Sequence, residues 1–249
     1  MVTKPKTASE IRAIRQSGKI LSAVLDKVVS SIDVGMTTKQ LANIARKEAE
    51  ALGGQPSFLG YQGYPDVLCV SINDEVVHGI PGPKVIQEGD IVGLDFGITY
   101  GGMITDAARS VIVGRPKQRR HIELVERTEK ALAIGISVVR NGIRTGDIGH
   151  AIQEYLDQYK YGIVKDLVGH GVGHELHEEP NIPNYGRINT GPWLEENMTI
   201  AIEPMVTLGG TGIRVANDGW TILTIDGSWS AHFEHTVLIT DNSAEILTA

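Results

Sequence analysis

Apolar residues at helical spacing begin close to the amino terminus of the chain. Thr7 and Glu10 occupy the positions of a capping box, and the apolar residues that follow at helical intervals are Ile11, Ile14, Leu21, Leu25, Val28 and Ile32. A second capping box, Thr37 with Gln40, precedes another helical pattern that ends at Gly53-Gly54. The pattern therefore predicts two consecutive amphipathic helices before the first strand.

The second half of the chain repeats this order of elements. Helical patterns cover residues 119–139 and 147–159. The segment from Gly35 aligns with the segment from Gly142 at an offset of 107 residues, and Glu88–Asp95 aligns with Glu196–Glu203 at an offset of 108. We infer a duplicated helix-helix-strand unit around a pseudo-two-fold axis, with a site between the halves. The predicted single domain is 1–249, with halves of about 1–115 and 116–249.

Residues 89–114 have the pattern of two strands joined by a turn. Apolar and β-branched residues dominate 91–98 and 103–113, and Thr99-Tyr100-Gly101-Gly102 between them has the composition of a turn. A symmetric register places Asp95 opposite Asp106, about 5 Å apart at Cβ, where like charges repel each other. Two interpretations remain open. Either the register is shifted and each Asp caps a backbone group, or cations hold the two carboxylates together.

Aromatic residues concentrate in residues 56–65, although aromatic residues make up only 5% of the chain. Phe58, Tyr61 and Tyr64 alternate there with glycines, which predicts a loop. Such a loop either packs its rings onto the core or forms the rim of an apolar pocket, and the sequence leaves both interpretations open.

Histidines and acidic residues gather in strand-like and glycine-rich segments of the second half. His170, His174 and His177 follow Gly169, but one residue too few separates the last two histidines for the helical zinc-binding motif. Glu203 and Glu234 each lie in a strand pattern. A buried carboxylate is costly unless it is paired or binds a cation. Together with the two Asp residues of the strand pair, these side chains indicate a metal site rather than a set of unrelated surface residues.

The composition of the chain limits the classes of molecule that we expect it to bind. The chain has 249 residues, of which 41% are hydrophobic and 21% charged, and its formal net charge is −7. Because an acidic surface repels phosphates, we expect neither DNA nor a membrane as a partner. Cys69 is the single cysteine, and the first residues lack the apolar run of a secretory signal. We therefore expect a cytoplasmic protein, and we expect a monomer.

Five motifs in this order resemble those of methionine aminopeptidases, specifically the short, bacterial-type type I form in metallopeptidase family M24. The motifs are HGIP from His78, DFG…TDAARS from Asp95, GHGVG…HEEP from Gly169, IEPM from Ile202 and EHTV from Glu234. The resemblance covers nearly the whole chain. It implies an α/β (α+β) protein with the pita-bread fold, in which helices flank a pseudo-symmetric antiparallel sheet.

This resemblance implies that five residues hold two divalent metal ions. Asp106 and Glu234 would bridge the ions, Asp95 would bind one of them, and His170 with Glu203 would bind the other. Carboxylates with one imidazole suit Mn, Fe, Co or Zn, so the sequence does not identify the metal.

Catalytic and substrate-binding residues follow from the same resemblance. His177 would donate to the scissile carbonyl oxygen, His78 would contact the scissile amide nitrogen, and Glu203 would carry a proton. The residues that would bind the methionine side chain are Phe58, Tyr61, Tyr64, Cys69, Leu176 and Trp220.

The implied reaction removes the initiator methionine from the N-terminal peptide of a nascent protein, with a small second residue preferred. Association with the ribosome is part of the same expectation. Some relatives also bind a monovalent cation through carbonyl groups, at places that the Asn73 loop and Ser230 match. Two alternatives share the fold. One is an Xaa-Pro peptidase, whose family members usually carry an extra N-terminal domain, and the other is a non-enzymatic binding module, whose family members lack the metal ligands.

Overall fold

The computed structural model describes residues 2–249 of the chain. The helices in this range are α1 (Ala8–Ser31), α2 (Thr38–Ala51), α3 (Arg119–Ser137) and α4 (Thr145–Asp157). Thr7 and Thr37 cap α1 and α2, and both predicted capping boxes are confirmed. The bounds of α3 and α4 lie within two residues of the predicted ones. No helix among the described residues is long and apolar enough to cross a bilayer.

Short strands make up most of the remaining regular structure. They are β1 (Gln55–Pro56), β2 (Cys69–Ile72), β3 (Glu75–Val77), β4 (Ile91–Tyr100), β5 (Met103–Ile112), β6 (Ile143–Arg144), β7 (Gly162–Ile163), β8 (Gly169–Gly171), β9 (Glu178–Ile182), β10 (Trp193–Leu194), β11 (Thr199–Ile202), β12 (Met205–Thr207), β13 (Ile213–Val215), β14 (Ile222–Thr224), β15 (Ser230–His232), β16 (Glu234–Ile239) and β17 (Ala244–Ile246).

Nine of these strands form one sheet. Its order is β1-β4-β5-β16-β11-β8-β9, with β2 also paired to β4 and β17 to β16. Every pairing in it is antiparallel. The other strands form three small sheets, β10-β6, β15-β12-β7 and β13-β14-β3. The predicted class, helices flanking an antiparallel sheet, is therefore what the chain adopts, and β5 pairs with β16 near the middle of the sheet.

The turn between β4 and β5 is shorter than the sequence predicts. Gly101 and Gly102 alone form it, with φ angles of 57° and 78°. Two consecutive residues with positive φ make the tight turn that matches the twist of a hairpin. The strands therefore extend to Tyr100 and Met103, which face each other.

This shorter turn changes the register, so the predicted pairing of Asp95 with Asp106 is wrong. Asp95 lies opposite Ala108, and Asp106 lies opposite Gly97. A shift of two residues keeps every side chain on the same face of the sheet, because side chains alternate with a period of two. The two acids are therefore diagonal neighbours on one face.

Two predicted strands are interrupted beside an acidic residue. Glu203 and Pro204 separate β11 from β12, which belong to different sheets. Pro204 has no N–H to donate, so the ladder stops there. In the same way Phe233 separates β15 from β16, and Glu234 is the first residue of β16. Glu234 lies in a strand as predicted, but the prediction is wrong for Glu203, which falls in the break between β11 and β12. Each of the two acids lies where the chain passes from one sheet to another.

The apolar core lies between the helices and the main sheet. One buried cluster joins α1 and α2 to β2 and β4, and a second joins α3 and α4 to β11 and β16. Leu94 and Phe96 of β4 belong to the first cluster. Asp95 between them therefore points to the opposite face of the sheet, away from the helices. The division of the chain into repeated halves stays a prediction.

Candidate active site

A cavity of about 160 Å³ opens on the face of the main sheet that carries Asp95. All of the site residues predicted from the sequence line it. One end of the cavity is polar, and its residues are His78, Asp95, Asp106, His170, His177, Glu203 and Glu234. The other end is apolar, and its residues are Phe58, Tyr61, Tyr64, Cys69, Leu176 and Trp220. The structure brings these residues together, and their individual roles stay predictions.

Three side chains from strands of the main sheet meet at the polar end. One ligand atom each from Asp106, His170 and Glu234 lies within 4.8 Å of the other two, and all three residues are buried. Asp106 is on β5, His170 on β8 and Glu234 on β16, so the order of strands in the sheet creates the cluster. Two carboxylates and one imidazole are donors that suit a divalent transition metal.

Asp95 and Glu203 flank this cluster. The carboxylates of Asp95 and Asp106 are neighbours, and each affects the ionisation of the other. His170 Nε2 lies 3.6 Å from Glu203 Oε1 and 4.0 Å from Glu234 Oε1. His170 Nδ1 lies 2.9 Å from the carbonyl oxygen of Gly171. When Nδ1 donates to that carbonyl, the lone pair of Nε2 faces the carboxylates, as in a metal-binding histidine.

The carboxylates of the polar end differ in how readily they ionise. Burial raises the pKa of Asp95 to about 7. Burial and the charge of Asp95 raise the pKa of Asp106, and burial with the charge of Asp106 raises the pKa of Glu234. Burial also opposes the ionisation of Glu203, but the imidazoles of His232 and His170 lower its pKa below the ordinary value. Full ionisation of the other three acids therefore requires added positive charge.

Unpaired oxygen atoms at the polar end fit a bound cation. Asp95 Oδ1, Asp106 Oδ1 and Glu234 Oε1 are buried, and none of them has a hydrogen-bond partner among the described residues. Buried polar atoms nearly always have a hydrogen-bond partner, and an ionised carboxylate oxygen can only accept a hydrogen bond. A divalent ion in the cluster would satisfy all three atoms.

His177 lies between the polar and the apolar end. Its Nδ1 is 2.8 Å from the hydroxyl group of Tyr61, and its ring centroid is 4.2 Å from that of His170. Burial and the neighbouring His170 lower the pKa of His177 to about 4, so the ring is neutral at neutral pH. When Tyr61 donates to Nδ1, the ring proton lies on Nε2 and is available to a third group.

His78 is a second neutral imidazole in the cavity. It follows β3 directly and has a φ of 60°, which is uncommon for a residue other than glycine. Burial lowers the pKa of His78. Its ring makes an edge contact with Trp220 at a centroid distance of 6.4 Å. His78 therefore lies where the polar end meets the apolar end.

The apolar end is a packed aromatic cluster. Phe58, Tyr64, Cys69 and Leu176 are buried together, with Tyr61 and Trp220 packed against them. The rings of Tyr64 and Trp220 meet edge to face at 5.1 Å. Burial and the charge of Asp95 raise the pKa of the Cys69 thiol, so it stays protonated. Both interpretations of the aromatic loop hold, because its rings are buried and also line the cavity.

Two residues of the site were missed by the sequence analysis. Gln62 lines the cavity from the loop between Gly60 and Gly63, and its φ is 48°. His232 Nε2 lies 3.5 Å from Glu203 Oε2. The glycines around Gln62 were a usable signal for an unusual loop conformation. His232 carried no local signal, because its contact with Glu203 depends on the pairing of β15 with β12.

Two further predicted features lie outside the metal cluster. His174 bonds through Nε2 to Glu10 Oε1 at 2.8 Å, so its contact is with α1. Ser230 donates its N–H and its hydroxyl to the carbonyl oxygen of Asn73, at 2.8 and 3.0 Å. The structure thus brings the Asn73 loop and Ser230 together, and binding of a monovalent cation there stays a prediction.

Comparison with known proteins gives consistent matches along the chain. Residues 12–241 match metallopeptidase family M24. Methionine aminopeptidase 1 of Bacillus subtilis is 41% identical over 243 residues, which cover 98% of each chain.

Solved structures give the same result for the fold. A methionine aminopeptidase from Thermotoga maritima superposes with a TM-score of 0.97 at 46% identity, and the match covers 99% of both chains. The prolidase from Pyrococcus furiosus superposes with a TM-score of 0.79 at 26% identity, covering 98% of this chain and 65% of the prolidase. The predicted pita-bread fold is confirmed by these matches.

Proposed function

This chain belongs to metallopeptidase family M24, and we propose that it is a methionine aminopeptidase that removes the initiator methionine from new proteins. The observation that carries the proposal is the cavity, in which a cluster of acids and imidazoles adjoins a slot lined by aromatic rings, a thiol and an aliphatic side chain. The sequence of the chain is 41% and 46% identical to those of two methionine aminopeptidases and 26% identical to that of a prolidase. An Xaa-Pro peptidase is therefore not favoured.

The residues at the polar end would hold two divalent ions. The family resemblance assigns Asp106 and Glu234 to both ions, and the strand order supports this, because β5 and β16 lie between β4, which carries Asp95, and β11 and β8, which position Glu203 and His170. A bound divalent ion polarises a carbonyl oxygen and lowers the pKa of a water molecule. The donor set suits Mn, Fe, Co or Zn, and it does not discriminate among them.

His177 and Glu203 would act on the scissile peptide bond. His177 carries a proton on Nε2 when Tyr61 donates to its Nδ1, and it would donate that proton in a hydrogen bond to the carbonyl oxygen as negative charge develops. Glu203 stays ionised beside His170 and His232, so its carboxylate can accept a proton from the attacking water and return it to the leaving amine. His78, a neutral imidazole that lines the same cavity, would contact the scissile nitrogen.

The apolar end would bind the methionine side chain. A methionine side chain is unbranched, and its sulfur makes contacts with aromatic rings worth about 0.3–1.5 kcal/mol. Tyr64 and Trp220 supply such rings, and Leu176 and Cys69 pack in the same cluster. A charged side chain in this slot would lose its hydration without gaining a partner, which makes lysine and glutamate unsuitable. The second residue of the substrate would lie near His78 and His177, so small residues are expected there.

A peptide assay with metal control tests the proposal. Metal-free protein is incubated with Met-Ala-Ser or with an Ala-Pro peptide, with and without added Mn²⁺, and with excess chelator. The proposal predicts release of methionine from Met-Ala-Ser that requires metal, and little release from the Ala-Pro peptide. Equal cleavage of both peptides, or cleavage of Met-Ala-Ser that persists in chelator, would contradict it.

A further inference from the structure

A buried ion pair joins the amino-terminal segment to the loop that carries His177. Lys6 Nζ lies 3.5 Å from Glu178 Oε2, and both side chains have 0% exposure. Lys6 Nζ also donates to the hydroxyl of Thr3 at 2.9 Å and to the carbonyl of Lys4 at 3.1 Å. Charged side chains are almost never fully buried unless they are paired. The buried ammonium group of Lys6 is therefore a structural contact of this loop.

Glu178 holds the backbone of the loop that precedes it. Its Oε1 accepts hydrogen bonds from the N–H groups of His174 at 2.7 Å and Glu175 at 3.0 Å. Its other oxygen, Oε2, is buried, has no hydrogen bond among the described residues and faces Lys6. His177 directly precedes Glu178, so the carboxylate that closes the loop also fixes the backbone next to His177.

The amino-terminal segment also packs on the glycine-rich stretch after His170. A Cβ atom at Gly173 would lie 2.5 Å from Lys6 Cε, and one at Gly171 would lie 2.9 Å from Thr3 Cβ. Glycine is therefore required at both positions for this close approach. The N–H of Thr3 donates to the carbonyl of Glu179 at 2.6 Å. Residues 3–6, the amino-terminal strap, thus contact the histidine-bearing loop at both of its ends.

We propose that Lys6 is a positioning residue for His177, because its ammonium group compensates Glu178 and so keeps the loop in the shape that directs His177 into the cavity. The inference rests on the proposed role of His177 in the reaction. Loss of one partner from a buried ion pair leaves an uncompensated charge. Without Lys6, the uncompensated Glu178 carboxylate would move toward solvent, and the N–H groups of His174 and Glu175 would lose their acceptor.

Replacement of Lys6 by methionine tests this positioning role, because methionine keeps the length of the stem without the charge. We expect Lys6→Met to lower kcat about 10- to 100-fold, the size of effect that small misplacement of a reacting group can cause, with unchanged metal content. Lys4→Met is the matched control, because Lys4 belongs to the same strap and is exposed. The double variant Lys6→Met/Glu178→Gln should recover most of the kcat, since it leaves no uncompensated charge and keeps an acceptor oxygen at position 178. A kcat equal to wild type in Lys6→Met would overturn the proposal.

A double-mutant cycle separates positioning of His177 from a general structural effect. If Lys6 acts through His177, Lys6→Met should cause no further loss of kcat in a His177→Ala background. A merely structural role would reduce kcat by the same factor in both backgrounds, and that result would overturn the proposal. If Lys6→Met does not fold, Thr3→Val replaces it in the cycle, because it removes one hydrogen bond from the ammonium group. A loss of kcat in Thr3→Val that disappears in the His177→Ala background supports the proposal, and an unchanged kcat overturns it.

Hydrogen exchange provides a readout that does not depend on activity. The amides of His174 and Glu175 should exchange faster in Lys6→Met, or in Thr3→Val, than in wild type, with no change in Lys4→Met. Equal exchange rates in all variants would overturn the role of the strap. If the wild-type protein releases no methionine from peptides, the proposed function fails, and this measurement still decides whether Lys6 holds the loop.

Discussion

The two ends of the active-site cavity differ in whether the protein itself provides hydrogen-bond partners for the polar atoms there. At the apolar end, the hydroxyl of Tyr64 lies 3.0 Å from the carbonyl oxygen of Gly79 and 3.1 Å from that of Leu68. The remaining side chains there are apolar or neutral and packed together. At the polar end, Asp95, Asp106 and Glu234 each keep a buried oxygen that no described residue pairs.

This difference separates two properties of the enzyme. The apolar end is complete without a ligand, so it can select a side chain by shape. The polar end cannot carry its full negative charge alone, because burial and mutual repulsion raise the pKa values of Asp95, Asp106 and Glu234. Substitutions at the polar end should therefore change metal content, and substitutions at the apolar end should change substrate choice without changing metal content.

The largest expected effect is that of Asp106→Ala, because this carboxylate is assigned to both ions. Loss of metal catalysis removes several kcal/mol of transition-state stabilisation, so activity should fall by about 10³-fold or more. Metal analysis should find neither ion in Asp106→Ala, while Asp95→Ala should lose mainly one. Asp106→Ala protein that still binds two equivalents of metal in calorimetry would refute the shared role of this residue.

His177→Ala should separate chemistry from metal binding. A donor that stabilises developing charge on a carbonyl oxygen is worth about 10²–10³ in rate, so kcat should fall by that factor. The metal content of the variant should match that of wild type, because the ring of His177 lies beside the predicted metal ligand His170 and is hydrogen-bonded to Tyr61. Steady-state kinetics and metal analysis on one preparation provide the measurement. If metal is lost in proportion to activity, His177 is a ligand and the assignment of His170 needs revision.

Metal should stabilise the fold through the polar end alone. A ligand at about 100 times its Kd raises the free energy of unfolding by about 2.7 kcal/mol. For a chain of this length that corresponds to an increase in Tm of roughly 5–10 °C. Calorimetric melting should show this increase with Mn²⁺ in wild type and in Trp220→Ala, but not in Asp106→Ala. A smaller metal effect in Trp220→Ala would mean that the two ends are not independent.

The smallest effect concerns the first residue of the substrate. Norleucine matches methionine in length but lacks sulfur, so its kcat/KM should fall by no more than about tenfold, the upper limit of a sulfur–aromatic contact. Leucine, which branches early, should be cleaved less well, and lysine should not be cleaved at a measurable rate. A peptide panel that varies only the first residue decides this. Release of lysine as fast as methionine would show that the apolar end does not bind the first side chain.

Local chemistry explains why much of the fold was predictable from sequence. The capping boxes at Thr7 and Thr37 act over three residues, and both were confirmed. The pairing of β4 with β5 was also confirmed, but its register depended on whether the turn uses two residues or four. The sequence contains Gly101 and Gly102 in either case, so pattern alone did not decide between a symmetric and a shifted register.

Features of the site that depend on contacts between distant segments could not be predicted from the sequence. The motifs identified residues that the structure places around one cavity, because those residues resemble a known family. His232 was missed because only the pairing of β15 with β12 brings it to Glu203. The ion pair of Lys6 with Glu178 joins residues that are far apart in the chain. Glu178 belongs to the HEEP motif, but nothing in the segment around Lys6 indicates its partner.

We infer that the buried acids of the polar end hold divalent cations and are partly protonated without them. Burial raises the pKa of Asp95 to about 7, and the pKa values of Asp106 and Glu234 also lie above their ordinary range, so the three acids together retain protons at pH 6.5, and a carboxylate must lose its proton to bind a cation. Mn²⁺ is titrated calorimetrically into metal-free protein at pH 6.5, in two buffers that differ in their enthalpy of ionisation. The account predicts saturable binding with the release of about one proton or more per protein, seen as a difference in heat between the buffers. Equal heats in the two buffers, or no saturable binding, would contradict it.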